Sequence, residues 1–365
     1  MLSQRLARLH AEGLVRQVRP SHPIPAHRMV ERDGMACISF ASNDYLGLSA
    51  EYPTDTPVQG GGTGSRLLSG AFPSLLSFES AFARWLGYET ALMGPSGYQV
   101  NVGVLSSIMT PADVVLVDKS IHASLWDGIR LSGAQVVRFP HGQVDALAKR
   151  LRDHRHKGQM AWLVVEALYS MDGDWAPLPD MVALAKAHGC GVVVDEAHSL
   201  GIVGPEGRGW VAAHGLQSQV DIWLGAFGKA WGSAGGMVAT STDWMTWLQS
   251  TARSLMFSTA PFPGMVTRNH EILTRMPHLD ERRRQLLANS HLAGGSQGSP
   301  IVSLPQPSVA AAQALAARLW DHRLWVPVIQ YPTVPHGRPR LRLSLSACHD
   351  PADIQRVMTL CQEVS

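Results

Sequence analysis

Excess charge of one sign, cysteine and long apolar runs are all scarce in this sequence, and each shortage excludes something. Lysine and arginine total 31 against 29 aspartates and glutamates, a formal charge of +2, so no electrostatic footprint for nucleic acid is expected. The basic residues are scattered, and the short cluster Arg282-Arg283-Arg284 reads as a solvated helix face. There are four cysteines, Cys37, Cys190, Cys348 and Cys361, with no C-x-x-C pair and no metal-ligand spacing. Reduced thiols are expected, and neither a disulfide framework nor a metal site is. No uninterrupted apolar run approaches the roughly 18 residues of a membrane span. The segment Met1 to Arg19 interleaves charges and has no apolar core, so no secretory signal is expected and the compartment, by elimination, is cytoplasmic.

What is present is an ordinary globular composition. Hydrophobic residues make up 45% and charged residues 16% of 365, enough for a sizeable core. The length suits one large α/β domain with an appendage, or two domains. Leu2, Leu6, Leu9 and Leu14 recur near helical spacing and predict an amphipathic helix ended by Pro20. Pro20, Pro23 and Pro25 make an extended connector, and the Gly60-to-Ser65 segment cannot be a regular helix.

Short β-branched runs then alternate with helical stretches. They are 114–117 ending at Asp118, 136–139, 162–165 ending at Glu166, 191–194 ending at Asp195, 221–224 leading toward Lys229, and 236–239. Near-continuous apolar strands between helices predict an α/β fold with a mostly parallel sheet covered on both faces. Ligands of such sheets sit beyond the carboxyl ends of the strands, where Glu166, Asp195 and Lys229 fall. From about residue 265 the pattern changes to a charged helix (280–287), a strand at 301–304, a helix near 310–319, and strands at 325–329 and 341–345. The expected division is an N-terminal helix and arm (1–45), a large domain (46–265) and a small α+β domain (266–365).

Several motifs could carry chemistry. Asp195-Glu196-Ala197-His198 spells a helicase box, but the chain has no G-x-x-x-x-G-K-[ST] phosphate loop. A polar strand end is the plain alternative. Lys229 lies among small residues, with Phe227-Gly228 before it and Ala230, Gly232 and Gly235-Gly236 after it. Taken alone it could be a surface lysine in a Gly-rich loop. Taken with Asp195 and His198 it matches the needs of pyridoxal 5′-phosphate (PLP): a lysine for the Schiff base, an acid for the ring nitrogen, and a histidine within reach of the phenolic oxygen. Ser96-Gly97-Tyr98 precedes a helical stretch, and a helix N-terminus binds phosphate well, though a simple strand–helix turn reads the same. His122 could stack on a planar cofactor or be structural. In Arg340-Leu341-Arg342-Leu343 both arginines point to one strand face, and a guanidinium can grip a carboxylate with two hydrogen bonds; a solvent-facing strand is the alternative.

In their order along the chain these pieces resemble the α-oxoamine synthases, a fold-type-I family of PLP-dependent transferases. The matching motifs are 42–48 (Ser-Asn-Asp-Tyr-Leu-Gly-Leu), 64–70 (Gly-Ser-Arg-Leu-Leu-Ser-Gly), 96–98, 122–124, 170–174 (Ser-Met-Asp-Gly-Asp), 195–198 and 228–230. Segments 257–260, 332–335 and 340–342, with Ser346-Ala347 and His349, are most similar to the biotin-pathway branch. The resemblance implies decarboxylative condensation of L-alanine with pimeloyl-CoA or pimeloyl-acyl carrier protein, by a homodimer with active sites at the subunit interface. It implies the Schiff base and proton transfer for Lys229, the ring nitrogen for Asp195, the phenolic oxygen for His198 and stacking for His122. Gly97, Tyr98 and Ser170 would help hold the cofactor, Arg342 the amino-acid carboxylate, and Arg16 and Thr333 would touch substrate. A sister branch using glycine or another amino acid with a different acyl-CoA is the alternative.

The chain departs from the family's pattern in four places. Ala226 replaces the usual Thr three residues before the lysine, which implies one cofactor hydrogen bond fewer and weaker retention. Leu75 replaces a His. His141-Gly142-Gln143 replaces His-Asn-Asp. The chain is also short after Leu48 and around 288–299.

Overall fold

The computed structural model describes residues 2–12, 14–15, 18–23, 28–51, 60–154 and 160–363. Its strands are β1 (Ser21–Pro23), β2 (Met29–Arg32), β3 (Met35–Ser39), β4 (Thr90–Gly94), β5 (Val114–Asp118), β6 (Gln135–Phe139), β7 (Ala161–Glu166), β8 (Gly191–Asp195), β9 (Ile222–Ala226), β10 (Gly236–Thr240), β11 (Ile301–Pro305), β12 (Leu324–Trp325), β13 (Val328–Ile329) and β14 (Arg340–Ser344). A seven-stranded sheet runs β4-β10-β9-β8-β7-β5-β6. Every pairing from β9 to β6 is parallel, and β10 lies antiparallel to both β4 and β9. All residues of β5 and β7 are buried, which is why these strands read as unbroken apolar runs: helices cover both faces.

The helices that matter most here are α1 (Leu2–Ala11), α2 (Pro73–Leu86), α3 (Gly97–Ile108) and α4 (Ala123–Ser132). Helices α3 and α4 meet at Gly128. A Cβ there would fall 2.8 Å from Leu105 Cβ and 3.0 Å from the Asn101 carbonyl, so only glycine permits this approach. The close crossing brings Asn101 of α3 beside Ser124 of α4.

Two smaller sheets flank the large one, in the orders β1-β2-β3-β12 and β11-β14-β13. Residue Phe40 links them, its N–H donating to the Trp325 carbonyl and its carbonyl accepting from Ser344 N–H, at 2.9 and 2.8 Å.

Two local expectations change. Helix α1 ends at Ala11, not Pro20, and buries none of its residues, so its leucines gain nothing from extending the helix. The single strand expected at 325–329 is two short strands in different sheets. Pro327 interrupts it, because proline has no N–H for the ladder, and its carbonyl instead accepts from Arg342 N–H at 3.2 Å. No helix among the described residues is long and apolar enough to cross a membrane.

Candidate active site

The carboxyl ends of β7, β8 and β9 form the floor of the site. Glu166 and Asp195 are register partners at the ends of adjacent strands. Lys229 follows β9 on a tight loop. Phe227 N–H donates to Gly235 O at 3.0 Å, Ser233 N–H to Phe227 O at 3.0 Å, and Gly232 N–H to Lys229 O at 2.8 Å. The residues two before and two after the lysine anchor this loop. Phe227 and Trp231 are fully buried, with ring centroids 4.8 Å apart, and both pack on Phe82 of α2. Gly232 has φ +57, and a Cβ on it would land 2.3 Å from Ser49 N, so the loop tip tolerates no side chain.

These surroundings tune the lysine. Burial lowers the Lys229 pKa below the ordinary ammonium value; Asp195 and Glu166 oppose the shift and Arg342 adds to it. Burial pushes Glu166 well above the usual carboxylate range, and its neighbour Asp195 pushes the same way. Its Oε1 is buried without a partner.

Asp195 is fixed from two sides. Asn101 Nδ2 donates to Oδ2 at 2.8 Å, and Ala197 N–H donates to Oδ1 at 2.8 Å. Asn101 also donates to Ser124 Oγ at 2.9 Å, which lies 2.8 Å from His122 Nδ1. His122 caps α4, accepting from Ser124 N–H at 3.2 Å, at the rim of the pocket. Desolvation lowers its pKa below the usual imidazole value; Asp195 resists this and Lys229 reinforces it.

The far wall carries His198 and Arg342. His198 Nδ1 lies 2.7 Å from the hydroxyl of the fully buried Tyr45. Burial holds the His198 pKa well below its usual value, and the cations Lys229 and Arg342 add to the effect. Arg342 is only 4% exposed. Its Nε donates to the Ser170 carbonyl at 2.6 Å and its Nη1 to Ser344 Oγ at 2.6 Å and Asn43 Oδ1 at 3.1 Å, while Nη2 has no partner. Arg340, on the same face of β14, is buried too and pairs with Asp172. The two arginines therefore do lie on one strand face, and that face is interior.

At the near edge, α3 begins. Ser96 Oγ accepts from Gln99 N–H at 3.2 Å, and the Gly97 and Tyr98 backbone opens on the pocket. Bulk is excluded here: a Cβ at Gly236 would fall 2.5 Å from Gly97 Cα, and one at Gly97 would fall 2.9 Å from Ala226 Cβ. Tyr98 Oη donates to Asp127.

Of the residues expected from the sequence, Gly97, Tyr98, His122, Asp195, His198 and Lys229 line one pocket. Ser170 and Arg342 stand beside it, joined by their hydrogen bond. Thr333 is exposed, on the turn after the Tyr331–Pro332 bond, and does not line this pocket. Arg16 lies outside the described residues. Asn101, which lines the pocket, and Asn43 and Tyr45, behind it, were not assigned roles from the sequence. For Asn101 the available signal was a polar residue on the buried face of α3, one turn after Gly97.

The donor set fits PLP. It offers an amine of lowered pKa for an aldehyde, a carboxylate at a strand end for a ring nitrogen, a neutral histidine for a phenolic oxygen, and a helix N-terminus for a phosphate. The orphaned Arg342 Nη2 and Glu166 Oε1 are buried polar atoms of the kind a bound group satisfies.

Comparison with known proteins agrees with this chemistry. Residues 36–359 match the family described as aminotransferase class I and II. The 8-amino-7-oxononanoate synthase of Acidithiobacillus ferrooxidans is 37% identical over 378 residues, covering 98% of this chain and 97% of that protein. The serine palmitoyltransferase of Sphingomonas wittichii superposes with a TM-score of 0.90 at 29% identity, covering 100% of this chain and 96% of that one. A structure of SPT with its PLP internal aldimine superposes with a TM-score of 0.89 at 30% identity and the same coverage.

Proposed function

Because the chain belongs to the aminotransferase class I and II family, we propose that it condenses L-alanine with a pimeloyl thioester, releasing 8-amino-7-oxononanoate, CO2 and the free thiol. It is a PLP-dependent acyltransferase of biotin biosynthesis. When bound, PLP supplies a protonated ring that draws electrons from the amino acid's Cα. The observation that carries the reading is the meeting of Lys229, Asp195 and His198 in one pocket, with the buried, half-free guanidinium of Arg342 at its side.

Each residue has a task. Arg342 Nη2 takes the alanine carboxylate and orients the Cα–H bond toward the lysine. Lys229 Nζ, neutral more readily than an ordinary lysine, removes the Cα proton and later returns one after CO2 leaves. The carbon so exposed attacks the thioester carbonyl; a C–C bond forms, the C–S bond breaks, and the thiol departs. Asp195 would keep the ring nitrogen protonated, His122 would cover the ring face, the first turn of α3 would hold the phosphate, and Ser170 would help hold the cofactor from the Arg342 side.

We further propose a dimer. Leu67, Leu68, Tyr98 and Phe257 are large apolar side chains left exposed on segments joined by the Ser65–Thr259 bridge and the Gln99–Ser258 hydrogen bond, a surface suited to a second copy of the chain.

A second reading, an α-oxoamine synthase taking another amino acid, draws on the likeness to serine palmitoyltransferase, at lower identity. A substrate panel separates the two. Thiol release is followed with PLP-loaded protein, using L-alanine, glycine or L-serine against pimeloyl-CoA, pimeloyl-acyl carrier protein and longer acyl-CoAs. Release that requires both L-alanine and a pimeloyl thioester supports the first reading. Release with glycine or serine and a fatty acyl chain moves the chain to the sister branch.

A further inference from the structure

Behind the pocket a line of hydrogen bonds joins His198 to Arg342 through Tyr45 and Asn43. Tyr45 Oη lies 2.7 Å from His198 Nδ1 and 3.3 Å from Asn43 Oδ1. Asn43 Oδ1 also receives Arg342 Nη1–H at 3.1 Å and the Ser344 hydroxyl at 3.2 Å. The Ser344 oxygen is itself an acceptor from Arg342 Nη1 at 2.6 Å, so its own proton is free to point at Asn43.

Three donors converge on Asn43 Oδ1, and this crowding favours one arrangement of protons along the line. An amide oxygen offers two lone pairs, and Arg342 and Ser344 fill both. The amide cannot be turned the other way, because its NH2 would then face a guanidinium that only donates. Of the two acceptors in reach of the Tyr45 O–H, the crowded Asn43 Oδ1 at 3.3 Å is the poorer and His198 Nδ1 at 2.7 Å the better. The phenol keeps that proton, since full burial raises its pKa to about 12. An imidazole that accepts at Nδ1 and stays neutral must carry its hydrogen on Nε2, the nitrogen left to face the pocket. The opposite tautomer would leave the buried Tyr45 proton with only a saturated partner.

We propose that Tyr45 is a positioning residue that locks His198 as the Nε2–H tautomer, so that the pocket meets a hydrogen-bond donor at this point, and that Asn43 ties this lock to the substrate-binding Arg342. The tautomer follows from the protein alone. That its acceptor is the phenolic oxygen of PLP rests on the cofactor reading above. Strands, turns and side chains far apart in sequence thus cooperate: the cofactor's oxygen and the substrate's carboxylate are held through one buried network.

The test is nitrogen NMR of the full-length chain with labelled histidine, before and after loading with PLP. His198→Gln identifies the resonance. The expected spectrum shows His198 with a protonated Nε2 and a bare, hydrogen-bonded Nδ1 in both states. A proton on Nδ1 in the wild-type chain overturns the proposal, and this needs no variant to fold. In Tyr45→Phe, which keeps the ring packing, the resonance should show both tautomers. The visible band of bound PLP should then titrate with about tenfold higher proton affinity, as one hydrogen bond to its charged oxygen is lost or weakened. A Tyr45→Phe spectrum identical to wild type in both readouts refutes the lock. Failure of PLP to generate a visible band at all would sink the cofactor reading instead, and would leave the tautomer result standing.

Discussion

Asn101 Nδ2 stands 2.8 Å from Asp195 Oδ2, joining the middle of one helix to the end of a strand 94 residues later. This contact fixes the carboxylate that we propose meets the cofactor's ring. With Ala197 N–H on the other oxygen, Asp195 has little freedom to rotate. Asn101→Ala removes a buried bond to a charged group, worth about 1.5–3 kcal/mol. PLP affinity should fall by about 10- to 100-fold, read by titrating apoprotein with PLP and following intrinsic fluorescence. Unchanged affinity would show that Asp195 holds its orientation without Asn101.

Ala226 lies at the end of β9 and lines the pocket, close to the start of α3. It offers no hydroxyl where the resemblance to the α-oxoamine synthases implies a threonine. Ala226→Thr should raise PLP affinity by about tenfold, the value of one added hydrogen bond to a charged group. The measurement is the PLP dissociation rate in gel filtration or dialysis. A rate equal to that of the native chain would mean that the missing hydroxyl does not limit retention.

Lys229→Ala should cut the turnover number by at least about 10²-fold, the usual lower contribution of a positioned proton-transfer group. The fold should survive, because Phe227 and Trp231 anchor the loop and Lys229 makes none of its backbone bonds through its side chain. Circular dichroism and the thermal midpoint check the fold, and thiol release checks the turnover. Condensation at the native rate would remove Lys229 from the mechanism.

The sheet was legible in the sequence because its strands are covered on both faces, and so appear as apolar runs punctuated by acids. The lysine, aspartate and histidine were legible because strand ends in such sheets face the ligand. Local sequence carried less information where the structure depends on distant partners. Tyr45 and His198 are 153 residues apart, and neither hints at the other. Proline gave two different lessons: Pro20 does not mark the end of the first helix, which stops at Ala11, whereas Pro327 splits a stretch that reads as one strand. Thr333 matched a motif, yet its side of the turn is exposed and it does not line the Lys229 pocket.

Arg342→Lys keeps the charge and loses the planar fork. Nε and Nη1 are already committed to Ser170, Ser344 and Asn43, so only Nη2 is left for a substrate carboxylate. A lysine cannot meet all of these at once. KM for L-alanine should rise by about 10- to 100-fold, with a smaller change in KM for the thioester. Steady-state thiol release at varied alanine concentration is the check. A rise confined to the thioester would assign Arg342 to the other substrate.

His141 ties the end of β5 to the 170–174 loop: Nδ1 lies 2.9 Å from Asp118 Oδ1 and Nε2 lies 2.8 Å from Asp174 Oδ2. Burial works against its charge, but the hydrogen bonds and attraction of the two aspartates prevail and raise its pKa to about 10. The same loop supplies the Ser170 carbonyl to Arg342 and Asp172 to Arg340. A histidine raised in the folded state stabilises fully below its unfolded pKa of about 6.5, and that stabilisation is lost as pH rises toward 10. The thermal midpoint of the native chain should therefore decline between those limits. His141→Gln keeps hydrogen bonding but cannot carry charge, so its midpoint should be lower at pH 6 and should vary less over the same range. Parallel curves for the two proteins would show that the imidazolium does not hold the loop. Because the loop also orients Arg342, a loosened loop should raise KM for L-alanine in the variant as well, linking the stability profile to substrate binding.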